Sequence, residues 1–116
     1  MKKDVQHELS IIFKLLGSER RLAILALLRE KPCSVSEIVD QLSMEQSAVS
    51  HQLQMLREAQ VVTVEKVGRS VYYQLNDSHI LTLLNNAEHH VDHVLRQMSH
   101  AEAVAEEQAE AKKNHQ

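Results

Sequence analysis

Asp77, His79, His90 and His93 have the donor types and the spacing that could hold a metal ion. They lie in NDSHILTLLNNAEHHVDH, residues 76–93. There Ile80, Leu83, Leu84, Ala87, Val91 and Val94 recur at three- and four-residue steps, which predicts one amphipathic helix. Histidine is neither a strong helix former nor a typical core residue, so its abundance here asks for a reason. His90 and His93 share a helix face, about 4.5 Å apart along the axis. His79 lies on nearly the same face but three turns earlier, about 16 Å away at 1.5 Å per residue. Zinc–nitrogen bonds are only about 2.0–2.1 Å long, so one chain cannot close such a site. Two antiparallel copies of the helix can, with His79 of one opposite His90 and His93 of the other. Asp77 then completes three nitrogens and one oxygen, a set that suits four-coordinate Zn(II). The spacing therefore asks for a homodimer with two equivalent sites.

Each residue taken alone has a plainer use. Asp77 is a natural helix cap, and His79, His90 and His93 could each be a solvated histidine. The four together in register favour ligation. His89 points about 100° away from His90 and is not read as a ligand. His7, His100 and His115 read as surface residues. They could raise the coordination number to six, which Ni(II) or Co(II) tolerates and Zn(II) does not prefer.

The surrounding chain limits what else is possible. Its 116 residues make one domain with a modest core. A net charge of −3, 43% hydrophobic residues and three aromatics suit a soluble, helix-rich protein. No apolar run is long enough to span a membrane, and MKKDVQHELS lacks the apolar core of a signal peptide. Lone Cys33 forms neither an internal disulfide nor a metal framework, so a reducing cytoplasm is the expected location. The net acidity argues only mildly against nucleic acid, because local patches decide that question.

The positioning elements follow from pattern and punctuation. Val5, Leu9, Ile12, Phe13 and Leu16 define a first helix over 5–16, which Gly17 and Ser18 end. A second helix covers 19–30 and stops at Lys31-Pro32. Ser34 and Glu37 form a capping-box pattern at the start of a third over 34–42. After the short connection Ser43-Met44-Glu45, a fourth helix runs from Gln46 to Glu58 with Val49, Leu53 and Leu56 inward. The period then changes: 61–67 and 70–75 are β-branched and aromatic runs around Gly68-Arg69, which predicts a hairpin. The histidine helix follows from about 77 to at least 98. The expected division is a domain over 1–98 and a helical extension or disordered tail over 99–116.

This order, mainly α with a β-hairpin wing, is that of a winged helix-turn-helix, whose helix after the turn enters the major groove. That helix offers Gln46, Ser47, Ser50 and His51 near its start, then Gln54 and Arg57. Hydroxyls and amides there suit base edges and phosphates. Lys66 and Arg69 flank the hairpin tip, where a wing meets backbone or minor groove, and Arg20 and Arg21 could add phosphate contacts. A merely solvated face explains any one of these residues, but not the combination. Operator double-stranded DNA is the expected partner, read by a two-fold dimer.

SAVSHQLQMLREAQVV followed by GRSVYYQL resembles the ArsR/SmtB family of bacterial metal-responsive repressors, from about residue 8 to residue 95. The resemblance implies a homodimer built on the first and last helices. It also implies that Gln46, Ser47, Ser50 and His51 face the operator, and that metal lowers DNA affinity. The family's interfacial site is Asp-x-His, ten residues, then His-x-x-His or His-x-x-Glu. Asp77, His79, His90 and His93 match it in register, and His93 at the fourth position resembles the zinc-sensing branch. Nickel and cobalt sensors use the same four positions with extra ligands. In the family, the residue matching His90 reaches the backbone just past the recognition helix, here about Gln60. A second family site uses cysteines in the third helix. Ser34 and Ser36 stand at those positions and Cys33 is out of register, so a soft-metal site is not expected, and Cys33 reads as a loop or helix-edge thiol.

Catalysis fits poorly. His89 and His93 have the spacing of a zinc hydrolase helix, but His90 stands where that motif needs glutamate, and two glycines cannot build a phosphate loop. Metal storage leaves the groove-facing helix unexplained. The expected function is a repressor released from DNA by Zn(II), controlling a metal efflux gene. The alternatives are a nickel- or cobalt-responsive repressor of the same fold, or one with no metal response. No membrane and no other protein partner is implied.

Overall fold

A computed structural model describes residues 1–114, so His115, expected at the surface, lies outside the described residues. The order is α1 (Lys3–Leu16), α2 (Glu19–Glu30), α3 (Val35–Leu42), α4 (Gln46–Glu58), β1 (Val62–Val67), β2 (Ser70–Leu75) and α5 (Ser78–Asn114). Two compact units result, 1–81 and 82 onward. The start of α5 belongs to the first, and the rest of the helix makes up the described part of the second.

Punctuation acts locally as expected. Gly17 ends α1, and the Ser18 hydroxyl accepts the Arg21 N–H at 3.4 Å to begin α2. The capping box at α3 is only half formed. Ser34 Oγ accepts the Glu37 N–H at 3.2 Å, but the Glu37 carboxylate accepts the Ser34 hydroxyl (3.3 Å) and lies 3.8 Å from Lys31 Nζ. The cation draws the carboxylate away from the Ser34 N–H it would otherwise reach. Ser43 closes α3 in the left-handed region (φ 53°), turning the chain sharply into α4.

The core of the first unit is apolar throughout. Ile24, Leu25, Ile38, Val49, Leu53, Leu56 and Val61 are fully buried, and no polar residue is buried with them among those described. Each such side chain contributes about 1.5–3 kcal/mol by leaving water. Within this unit α3 packs on α4, α2 on α3 and β2, α4 on β1, and α1 on α2. The strands pair antiparallel with Val67 opposite Ser70 across a two-residue turn. Gly68, at φ +62°, takes the first turn position, where a positive φ is required.

Cys33 is more than a loop thiol. Its N–H donates to Tyr73 O at 3.0 Å, and its carbonyl accepts from the Tyr73 N–H at 2.7 Å, adding a one-residue bridge to the hairpin. Pro32 ends α2, and the following backbone is free to extend against β2. The thiol is buried, which pushes its pKa up; Glu37 adds to the rise and Lys31 opposes it.

Apolar side chains stay uncovered in each unit. Val5, Ile11 and Phe13 of α1 are exposed, Phe13 by 56%, beside an open groove of about 500 Å³ that Ile12, Leu15 and Met55 help to line. On α5, Val91, Val94, Leu95 and Met98 are exposed as well. No helix among the described residues is long and apolar enough to cross a membrane.

The Cys33 environment makes a checkable statement. A raised thiol pKa leaves less thiolate at any pH below it, and the thiolate is the nucleophile. Iodoacetamide at pH 8 is therefore expected to label the folded protein at least roughly tenfold more slowly than the urea-unfolded chain.

Candidate functional site

α4 is oriented by what it buries. Val49, Leu53 and Leu56 have no exposed surface, which turns Gln46, Ser47, Ser50, His51, Gln54 and Arg57 outward; all six are exposed. The start of α4 has no side-chain cap, and its first helical bond is Val49 N–H to Glu45 O at 3.0 Å. The N–H groups of Gln46, Ser47 and Ala48 thus point from the positive end of the helix with no protein acceptor among the described residues, a disposition that suits phosphate. Gln54 Nε2 donates to Glu58 Oε1 at 3.3 Å along the exposed side. Lys66 and Arg69 are exposed on either side of the hairpin tip.

Arg20 and Arg21 have different fates. Arg20 is exposed, whereas Arg21 is drawn into the fold. Its Nε donates to Gln52 Oε1 at 2.7 Å, one terminal nitrogen to Leu15 O at 3.0 Å, and the other lies 3.7 Å from Met55 Sδ. The guanidinium thereby ties the last turn of α1 to the middle of α4, and it is not available as the phosphate contact expected of it. Sequence alone does not show this, because Gln52 and Met55 lie more than thirty residues away.

The metal-ligand candidates divide into two groups along α5. Asp77 does cap the helix: Oδ1 accepts the N–H of His79 at 2.8 Å and of Ile80 at 3.1 Å. Capping occupies only Oδ1, and Oδ2 makes no hydrogen bond among the described residues, so a cap and a ligand are compatible in one side chain. His79 Nδ1 lies 3.5 Å from Asp77 Oδ1, and the imidazole is 93% exposed. His90 and His93 are exposed, as are His89 and His100 on the same helix and His7 on α1. Asp92, between the two histidines, pairs instead with Arg96 at 3.1 Å. Among the described residues of one chain, no three His, Cys, Asp or Glu side chains are grouped to hold a metal ion. Ser34, at one of the positions where a thiolate site would need cysteine, is used as the α3 cap.

Gln60 is unusual. It follows α4 with φ +60°, one of two non-glycine residues with positive φ among those described. Its N–H donates to Arg57 O (3.0 Å) and the Val61 N–H to Leu56 O (2.9 Å), the paired bonds of a Schellman ending. The Gln60 carbonyl accepts from Asn76 Nδ2 at 2.7 Å. Asn76 was not singled out by its sequence; its position directly before Asp77 was the available signal.

Comparison with known proteins follows the same elements. The model of "Bacterial regulatory protein, arsR family" matches residues 18–64, from the α2 cap into β1. The chain is 43% identical over 79 residues to the HTH-type transcriptional regulator NmtR of Mycobacterium tuberculosis, covering 68% of this chain and 66% of that one. It is 32% identical over 91 residues to the transcriptional repressor SmtB homolog of Synechocystis, covering 78% and 69%. The chain belongs to the ArsR family. The solution structure of apo-NmtR superposes with a TM-score of 0.70 at 36% identity, over 80% of this chain and 78% of that one. These ArsR-family relatives are transcriptional regulators, and the winged helix-turn-helix is the fold of this one.

The Arg21 tie predicts a contrast between neighbours. Arg21→Ala should lower unfolding free energy by about 1.5–3 kcal/mol, the worth of hydrogen bonds to a charged group. Arg20→Ala should stay within about 0.5 kcal/mol of the parent. Urea denaturation followed by circular dichroism reads both.

Proposed function

We propose that the protein is a homodimeric repressor whose affinity for operator DNA falls when Zn(II) binds between the two α5 helices. Asp77 and His79 come from one chain and His90 and His93 from its partner. The observation that carries this reading is that four exposed candidate ligands fall into two groups, Asp77 and His79 in the first unit and His90 and His93 in the second, with no three grouped among the described residues of one chain. A second copy is also what the uncovered apolar surfaces of α1 and α5 ask for. The relatives support the regulatory half of the reading, since the SmtB homolog of Synechocystis is named as a repressor.

Residues 1–98 carry both tasks, and the remainder of α5 is an appendage to them. Gln46, Ser47, Ser50, His51, Gln54 and Arg57 meet the major groove, and Lys66 and Arg69 meet backbone or minor groove from the wing. Metal between protomers sets the angle between them, and with it the spacing of the two α4 helices. If the metal-bound spacing fits the operator less well, affinity falls by the coupling free energy, and DNA weakens metal binding by the same factor. The gene under control is then one for metal efflux.

Fluorescence anisotropy on a fragment of the protein's own promoter, at fixed salt and controlled free metal, tests this. Zn(II) should weaken binding by about 5–150-fold or more, and His90→Ala should bind DNA like the apo parent and ignore the metal. An unresponsive parent would leave a winged-helix repressor without metal control. Stronger release by Ni(II) or Co(II) than by Zn(II) would make those ions the effectors and His7 and His100 further ligand candidates. The wing is tested separately. Lys66→Ala and Arg69→Ala should each lower DNA affinity regardless of sequence and reduce the salt slope by about 1, leaving zinc affinity unchanged.

A further inference from the structure

Asn76 joins two ends that the chain separates. Its side-chain amide donates to Gln60 O at 2.7 Å, and its backbone N–H donates to Val61 O at 3.0 Å. Gln60 and Val61 complete the Schellman ending of α4, and Gln60 holds a left-handed φ that a side chain disfavours. One peptide bond further on, Asp77 Oδ1 accepts the N–H groups of His79 and Ile80 in the first turn of α5. Two successive side chains therefore face opposite ways in function. Asn76 grips the end of α4, and Asp77 grips the start of α5.

From this we infer that Asn76 is a positioning residue that transmits the state of Asp77 and His79 to the recognition helix; the inference rests on the metal-responsive reading above. A ligand that shifts the Asp77 backbone tilts the planar peptide that Asp77 shares with Asn76. Asn76 can follow only by shifting its grip on Gln60 or by carrying Gln60 with it. The carbonyl it grips belongs to the residue whose N–H closes the end of α4 on Arg57 O, so a displacement there changes how α4 is presented. Asn76 and Gln60 are both exposed. Losing the amide leaves the carbonyl to water rather than orphaned in the core, and the Asn76 backbone bond to Val61 survives substitution. The amide thus acts on position, with little demand from stability.

The test uses the full-length protein and two variants. Asn76→Leu keeps the approximate shape and removes the donor without adding charge. Asn76→Gln keeps an amide on a longer arm at an exposed position. Zinc affinity is measured by competition with a chromophoric chelator, and DNA affinity by anisotropy with and without zinc. For Asn76→Leu, zinc affinity should stay within a few-fold of the parent, while the zinc-induced loss of DNA affinity shrinks at least tenfold or disappears. Asn76→Gln should recover most of that response. A responsive parent with an equally responsive Asn76→Leu overturns this inference alone. So does a variant whose zinc affinity, DNA affinity and melting temperature fall together with the zinc response unchanged, because that is a structural role. A parent whose DNA affinity ignores every metal overturns the function proposed above and this inference with it.

Discussion

Burial of one edge of α4 is the constraint on which the rest of the structure depends. Val49, Leu53 and Leu56 are removed from water, with α3 and β1 packed against the helix they belong to. Because a helix has one apolar edge here and 3.6 residues per turn, burying that edge decides where every other residue points. Gln46, Ser47, Ser50 and His51 face outward as a consequence, beside an N-terminus that no side chain caps. An exposed polar face arises here as the complement of a packing face.

α4 is held from elsewhere at its middle and at its C-terminal end. Arg21 spans from the last turn of α1 to Gln52 and Met55, and Asn76 reaches back to the Schellman ending at Gln60. The first tie connects the recognition helix to a helix with an uncovered apolar face. The second connects it to the residue before Asp77. Polar ties of this kind add modest stability, yet they fix direction, which hydrophobic contact alone does not. The recognition helix is therefore linked, by short and directional bonds, to the two regions that a second copy and a metal ion would engage.

Asp77 shows why one residue can support two readings without contradiction. A carboxylate has two oxygens, and capping α5 uses only Oδ1. The cap holds Asp77 and His79 at one end of the helix in a defined relation. Asp92, placed between His90 and His93, likewise uses one oxygen, in its pair with Arg96 one turn on.

The sequence by itself determined what depends on near neighbours. Gly17-Ser18, Lys31-Pro32 and Gly68-Arg69 set element ends, because caps and tight turns are decided within a few residues. The spacing from Asp77 to His93 was equally legible, since along a continuous helix position follows from residue number. Only the tertiary structure decided which long-range partners would be chosen. Arg21 looked as free as Arg20 until Gln52 and Met55 came within reach. Cys33 read as a loop or helix-edge thiol until β2 offered Tyr73, and nothing in the sequence singled out Asn76 until folding brought Gln60 to its amide. Even the local capping box was altered, because Lys31 draws on the Glu37 carboxylate. The reason is common to all four. A polar group's type and reach are written in the sequence, but its partner is selected by the packing that brings competing donors and acceptors together.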